Sequence, residues 1–212
     1  MKRLALIGTK EFAEQIVGFA KRTGEFEFVG YFDEIEPKGK NINGFPVMGK
    51  VDDAIQLYQE GAFDYIFIAV GYTRFDLRED FYNRLKGKVP FANIIDPTAE
   101  LGHDVQLGEG IYVGRNAIID DETVIEDNVF IHRNNMVGHN SIVHKHSYLS
   151  GLDHMAGFCE IGSRTFIGLS VCVADHISIA DDVWVGIGCI VAKSIKKPGK
   201  YMTESVLLKK IG

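Results

Sequence analysis

A six-residue repeat in the second half of the chain limits its fold more than any other feature. Counting in sixes from Ile95, the position reached is aliphatic or methionine seventeen times in succession, without an insertion. A strict period of six fits neither the 3.6-residue period of a helix nor the alternation of a long strand. It is typical of a parallel β-helix, in which each hexad forms one short strand and three hexads close a coil. The repeat positions are Ile95, Leu101, Leu107, Val113, Ile119, Ile125, Ile131, Val137, Val143, Leu149, Met155, Ile161, Ile167, Val173, Ile179, Val185 and Val191.

One column on the outside of the predicted prism is aromatic at every coil. Taking the last residue of every third hexad gives Tyr112, Phe130, Tyr148, Phe166 and Trp184. Left uncovered, such a column would form a large exposed apolar patch. We therefore expect this face to be buried against another copy of the chain, the alternative being scattered surface aromatics.

The first ninety residues lack the sixfold period and alternate between strand and helix patterns. The patterns predict strands at Lys2–Gly8, Phe26–Phe32 and Tyr65–Val70, and helices at Glu11–Arg22, Asp52–Glu60 and Leu77–Leu85. This alternation predicts a small α/β, Rossmann-like parallel sheet. Ligands of such sheets bind beyond the carboxyl ends of the strands. In this sequence those ends carry Gly8, Thr9, Lys10, Asp33, Glu34 and Gly71.

Composition excludes several classes of protein. The net charge of −6 disfavours a nucleic-acid surface, and the three cysteines lack the spacing of a disulfide framework or zinc site. The apolar runs are too short to span a bilayer. We expect a soluble, cytoplasmic protein.

Several motifs along the chain resemble one two-domain family, the bacterial nucleotide-sugar N-acetyltransferases of bacillosamine and perosamine pathways and the related sialic-acid O-acetyltransferases. They are Leu6-Ile7-Gly8, Tyr31-Phe32-Asp33-Glu34, Gly44-Phe45-Pro46-Val47-Met48-Gly49, Ile68-Ala69-Val70-Gly71, Arg78 and Ile94-Ile95-Asp96-Pro97-Thr98-Ala99. The resemblance implies that the β-helix is left-handed. It also implies a nucleotide-sugar-binding domain at residues 1–92, an acyltransferase domain at 93–197 and a C-terminal tail at 198–212.

The resemblance further implies an activity and its site. The expected reaction moves an acetyl group from acetyl-CoA to the amine of a nucleotide-linked amino-deoxy sugar, in a homotrimer, for surface polysaccharide or glycan biosynthesis. His139 takes the position of the family's catalytic base, beside Asn140. The residues implied to bind cofactor are Tyr148, Gly157, Gly168, Leu169, Gly186 and Ile187, and those implied to bind substrate are the six strand-end residues and Arg78.

The segment around His139 departs from the family pattern. Asn140 stands where a carboxylate is common, and Asp121, one coil earlier, is a candidate for the missing charge. Inward positions nearby become polar (Asn135, Ser141, Ser147 and Asp153), as expected near a functional site. Gly157, one coil above His139, is expected to leave space for a thin ligand.

Three alternatives stay open from the sequence. The acceptor is a sialic-acid-like hydroxyl, or the protein is a catalytically silent sugar-nucleotide-binding scaffold, or the seven histidines hold a metal between subunits. We expect no metal site, because the trimeric β-helix carbonic anhydrases, which hold zinc between subunits, lack the N-terminal domain.

Overall fold

The computed structural model describes residues 1–203, so the final part of the predicted tail, residues 204–212, lies outside the described residues. The N-terminal part is a five-stranded sheet in the order β3-β4-β2-β1-β5 with three helices. All its strand pairs are parallel except β3 with β4. The elements are β1 (Lys2–Ile7), α1 (Glu11–Thr23), β2 (Phe26–Phe32), β3 (Asn41–Ile42), β4 (Phe45–Gly49), α2 (Asp53–Gln59), β5 (Tyr65–Ile68) and α3 (Phe75–Leu85).

The helix α1 follows from its sequence pattern. Its apolar side chains recur every three or four residues, and Ala13, Ile16, Val17 and Ala20 are buried. The helix ends at Gly24, which adopts the left-handed conformation with φ of 71°. Within the described residues, no helix has the length and apolar character needed to cross a membrane.

The rest of the described chain is a three-sided parallel β-helix, as the repeat predicts, and it is left-handed, as the family resemblance implies. The covered face comprises β6 (Ile94–Ile95), β9 (Tyr112–Val113), β12 (Phe130–Ile131), β15 (Tyr148–Leu149), β18 (Phe166–Ile167), β21 (Val183–Val185) and β23 (Gly199–Tyr201). The second face comprises β7 (Glu100–Leu101), β10 (Ile118–Ile119), β13 (Met136–Val137), β16 (His154–Met155), β19 (Cys172–Val173) and β22 (Ile190–Val191). The third face comprises β8 (Gln106–Leu107), β11 (Val124–Ile125), β14 (Ile142–Val143), β17 (Glu160–Ile161) and β20 (Ser178–Ile179).

Neighbouring strands on each face pair in register 18 residues apart, as in Phe130 with Tyr148, except that β23 pairs with β21 at a separation of 16 residues. The repeat residues fill the interior: Ile119, Ile125 and Ile131 are completely buried. Ile95 and Leu107 are only partly buried and Leu101 is 41% exposed, because β6, β7 and β8 are edge strands with no coil below them. The backbone turns each corner with a residue at positive φ, commonly Asn or Asp, which tolerate this conformation.

The aromatic column is covered by the N-terminal part of the same chain, and our expectation of burial against another copy was wrong. Phe19 of α1 stacks on Tyr112 at 4.9 Å between ring centroids, and Phe12 lies 5.6 Å from Phe130. Tyr72, in the loop after β5, packs against Tyr148, Phe166 and Trp184. A sequence pattern shows that a face must be covered, but it does not say whether the cover comes from the same chain.

Polar contacts also hold the N-terminal part on the covered face. Arg22 of α1 donates to Asp96 at 2.9 Å, and Lys86 lies 3.1 Å from Asp127. The Arg22 guanidinium lowers the pKa of Asp96 to about 2, so this pair stays charged at neutral pH.

Candidate active site

A cavity of about 830 Å³ opens at the carboxyl ends of β1, β2 and β5. The chain turns from β1 towards α1 at Gly8, whose φ of 103° favours glycine and where a Cβ would lie 3.1 Å from the oxygen of Ala69. All six strand-end residues predicted from the sequence line this cavity: Gly8, Thr9, Lys10, Asp33, Glu34 and Gly71. The structure therefore brings them together at one place.

Asp33 organises one wall of the cavity. The Thr9 hydroxyl donates to it at 2.7 Å, and the backbone amides of Ile35 and Glu36 donate to its other oxygen at 2.8 and 3.1 Å. Burial alone would raise the pKa of Asp33, but these hydrogen bonds hold it below its usual value. The carboxylate is thus charged and rigid, and most of its acceptor positions are already in use.

The sequence analysis did not predict some of the residues that line the cavity. Asn43, Thr73 and Arg74 line the opening but follow loop segments that no strand or helix pattern marks. The backbone amides at the start of α1 have no side-chain cap. Such amides, with Lys10 beside them, suit an anionic group such as a phosphate.

Arg78, which the resemblance assigned to the substrate, does not line this cavity. It lies on α3, is completely buried, and donates to the backbone oxygens of Asn128 and His146. Its guanidinium carbon lies 4.2 Å from the centre of the Phe130 ring. Burial lowers the pKa of Arg78 to about 9. Its role is to join α3 to the β-helix.

His139 lies on the corner between the second and third faces, away from the covered face. Its Nδ1 is 2.9 Å from Oδ1 of Asn140, and the Asn140 Nδ2 group donates to the carboxylate of Glu122, one coil below. An amide oxygen only accepts hydrogen bonds, so Nδ1 of His139 carries a proton in this arrangement. In the neutral ring, Nε2 is then left with a free lone pair, which is what a general base requires.

Glu122 was missed from the sequence, and Asp121 was the wrong candidate for the missing charge. Asp121 accepts a hydrogen bond from the backbone amide of His103 at 2.6 Å instead. Glu122 stands 18 residues before Asn140, and both have positive φ (56° and 54°) at the same corner of successive coils. Counting coils from Asn140 rather than from His139 would have identified it.

The place that a side chain on Gly157 would take is occupied by the His139 ring. A Cβ on Gly157 would lie 2.7 Å from both Cε1 and Nε2 of His139. The expectation that Gly157 leaves room for a ligand is therefore not met; it leaves room for the imidazole. The ring also makes an edge contact with Phe158 at 5.1 Å between centroids.

The residues predicted to bind cofactor are divided among three places. Tyr148 is 6% exposed within the covered aromatic column. Leu169 and Ile187 are exposed on the corner between the covered and second faces, next to Gly168 and Gly186. Gly157 lies on the corner of His139. One chain alone does not gather them into a single site.

Each polar inward residue around His139 has at least one structural partner, although Oδ2 of Asp153 is buried without one. The backbone amides of Asp153 and Val171 donate to Asn135 and Asp153 at 2.7 and 2.9 Å, and that of Cys159 donates to Ser141 at 3.1 Å. Ser147 donates to the Gly162 oxygen at 2.7 Å. Among the described residues, no group of three His, Cys, Asp or Glu side chains is arranged to hold a metal ion.

Comparison with known proteins agrees with this architecture. Residues 3–85 match the family model described as the PglD N-terminal domain. No curated protein matches the chain.

Solved structures match over nearly the whole length. A variant of perosamine N-acetyltransferase from Caulobacter crescentus, in complex with CoA and GDP-perosamine, is 23% identical, with 96% of this chain and 94% of that chain covered and a TM-score of 0.83. The acetyltransferase domain of PglB from Neisseria gonorrhoeae, in complex with acetyl coenzyme A, is 22% identical, with 95% and 96% covered and a TM-score of 0.83. WeeI from Acinetobacter baumannii is 17% identical, with 92% and 93% covered and a TM-score of 0.75. The N-terminal family model and the shared fold agree with the resemblance drawn from the sequence, and the chain joins a region that matches the PglD N-terminal domain to a left-handed parallel β-helix.

Proposed function

We propose that the protein is an acetyl-CoA-dependent N-acetyltransferase acting on a nucleotide-linked amino-deoxy sugar, as a cytoplasmic homotrimer. The observation that carries the proposal is His139, whose Nδ1 proton is engaged by Asn140 and whose Nε2 is free on an exposed corner. Two proteins of the same fold are described in complex with CoA and GDP-perosamine and with acetyl coenzyme A, which supports this choice of substrates. Such a reaction would serve the synthesis of surface polysaccharides or glycans.

The proposed chemistry needs one base. The amine nitrogen of the sugar attacks the thioester carbonyl carbon, a C–N bond forms, and His139 Nε2 takes the proton that the nitrogen loses. The tetrahedral adduct then breaks its C–S bond. The departing sulfur takes the proton from His139, which leaves an amide and free CoA thiol.

The two parts of the chain take different substrates in this proposal. Residues 1–92 hold the nucleotide sugar in the 830 Å³ cavity, where Lys10 and the uncapped amides of α1 face the phosphates. Residues 93–197 hold acetyl-CoA along the β-helix, with Leu169 and Ile187 as exposed apolar contacts.

The geometry supports an assembly of several copies for a reason other than the aromatic column. The cavity lies in the part of the chain that packs on the covered face, whereas His139 is on the opposite corner of the prism. A sugar held in one subunit would therefore meet a histidine of a neighbouring copy. The second face suits such packing, because Ile118, Met136 and Ile190 on its outer side are 42%, 39% and 77% exposed.

The test is turnover with acetyl-CoA and GDP-, UDP- or dTDP-linked 4-amino-4,6-dideoxy sugars, followed by release of CoA thiol and the mass of the product. His139→Ala should lower kcat by about 10²–10⁴-fold, as expected for loss of a positioned general base. Thr9→Ala, in the cavity, should instead raise KM for the nucleotide sugar with a smaller change in kcat. Unchanged turnover of His139→Ala on an accepted substrate would contradict the assignment of the base.

The trimer has its own test. Light scattering at micromolar concentration should give three chains, and Met136→Lys on the second face should give a monomer without turnover. A wild-type monomer that turns over substrate would contradict the proposed division of the site between copies.

A further inference from the structure

Asn140 alone would be a weak partner for a catalytic histidine, because its neutral amide adds no charge. The structure places a carboxylate behind it. Glu122 accepts a hydrogen bond from Nδ2 of Asn140, and Oδ1 of the same amide faces Nδ1 of His139 at 2.9 Å. The three side chains form one continuous hydrogen-bonded chain from a carboxylate to an imidazole.

Glu122 fixes which way the amide points. Only the Nδ2 side of an asparagine donates, so a carboxylate at that end leaves the oxygen turned towards His139. With the amide held in this way, Nδ1 of His139 must be the protonated nitrogen. Hydrogen bonds in series also polarise one another, so the negative charge of Glu122 strengthens the acceptor that His139 meets.

The backbone makes the alignment reproducible. Glu122 and Asn140 occupy equivalent corner positions of successive coils, both with positive φ. The backbone N–H of Asn140 donates to the backbone oxygen of Asp121 at 2.9 Å. A glutamate at such a corner is unusual, since Asn, Asp and Gly adopt this conformation most readily. The neighbouring acid Asp121 is engaged by the backbone of His103, and Asp175, one coil above Gly157, pairs with His176 at 3.1 Å.

We propose that Glu122 is a positioning residue which, through Asn140, holds His139 in the tautomer that has a free Nε2. The inference rests on the proposed function of His139 as the base. It assigns to this chain a carboxylate, an amide and an imidazole in series, in place of a carboxylate directly beside the histidine.

The first readout is the tautomer of His139, measured by ¹⁵N and ¹³C NMR of the imidazole in the free protein. Wild type should show the Nδ1-protonated form, and Glu122→Ala should show a mixture of both tautomers. Asp104→Asn is the matched control, since Asp104 is an exposed acid with φ of 54° at the same corner of the preceding coil. This control should leave the His139 signals unchanged.

The second readout is kinetic. Glu122→Ala should lower kcat roughly ten- to a hundred-fold, the range for loss of a hydrogen bond to a charged group, with KM for the amino sugar unchanged. Glu122→Gln keeps an acceptor without the charge and should fall between wild type and Glu122→Ala.

Rescue separates positioning from simple structural damage. Asn140→Asp placed in the Glu122→Ala variant puts a carboxylate directly on Nδ1 and should recover most of the lost kcat. In the wild-type background, the same Asn140→Asp change sets two carboxylates against each other and should reduce kcat. If Glu122→Ala changed neither the tautomer of His139 nor kcat, the positioning role of Glu122 would be wrong. An active His139→Ala variant would instead contradict the proposed base, and the NMR result alone would then decide the role of Glu122.

Discussion

The β-helix contains two histidine–asparagine pairs in which the hydrogen bond between the two side chains runs in opposite directions. At the open corner, Oδ1 of Asn140 accepts from Nδ1 of His139. At the corner beneath α3, Nδ2 of Asn128 faces Nδ1 of His146 at 2.9 Å, while Oδ1 of Asn128 lies 3.3 Å from the Arg78 guanidinium. His146 is therefore an acceptor at the nitrogen where His139 is a donor.

The difference lies in the charge that each amide meets. Glu122 attracts the NH₂ end of Asn140, and Arg78 attracts the oxygen end of Asn128. Burial, together with the nearby Arg78 charge, lowers the pKa of His146 to about 4, so this ring stays neutral and structural at neutral pH. A histidine–asparagine pair at a corner of the β-helix is thus either a candidate base or a packing element. Which of the two it becomes depends on the charge that contacts the asparagine amide and on whether the corner is covered.

Removing the cation from the covered pair should have the largest effect on stability. Arg78→Ala leaves the buried oxygens of Asn128 and His146 without this donor and opens a cavity beside Phe130. We expect a loss of about 3 kcal/mol in the free energy of unfolding, measured by chemical denaturation. Arg74→Ala, an exposed arginine just before α3, should change it by less than about 0.5 kcal/mol. Equal stabilities of the two variants would show that Arg78 does not clamp α3 to the β-helix.

Much of this architecture is predictable from the sequence because it depends on local periodicity. The hexad positions fix which residues point inward, and the strand–helix alternation places the six cavity residues at one edge of a sheet. The short strands β3 and β4 are not predictable in this way, since they are an edge hairpin without a clear pattern.

What the sequence did not reveal depends on contacts between distant parts of the chain. Arg78 and Tyr148 were assigned to ligands because of the family resemblance, but both are buried where α3 and the loop after β5 meet the covered face. Likewise, Asp121 and Glu122 are adjacent in sequence, and only the direction of each side chain at the corner decides which one reaches Asn140. Such assignments depend on contacts between residues that are far apart in the sequence, and no local pattern encodes these contacts.

Acid titration should sharpen the contrast between the two histidines. An unfolded histidine takes up its proton near pH 6.5, whereas folded His146 does so only near pH 4. In this window the unfolded state binds more protons, so stability falls as pH falls, by up to about 3 kcal/mol from this group. His146→Asn, which suits positive φ and retains an acceptor for Asn128, should remove that part of the acid loss from thermal melting curves.

One other group bears on that titration. Burial also lowers the pKa of His132 to about 4, so the His146→Asn variant should keep a residual acid loss from His132. If the His146→Asn variant lost as much stability in acid as wild type, the neutral, buried state assigned to His146 would be wrong.

The smallest expected effect concerns backbone strain at the open corner. Phe158 has φ of 57°, a conformation that costs a bulky residue roughly 1–2 kcal/mol, yet it is 49% exposed and its ring contacts His139. Phe158→Asn should therefore raise the free energy of unfolding by about 1 kcal/mol while lowering kcat several-fold, because the ring that supports the imidazole is lost. Leu152→Asn is the matched control, as Leu152 has φ of 66° and equal exposure but does not touch His139. It should give a similar gain in stability, measured by denaturation, with unchanged kcat. A gain in both stability and turnover for Phe158→Asn would show that the strained ring does not serve the histidine.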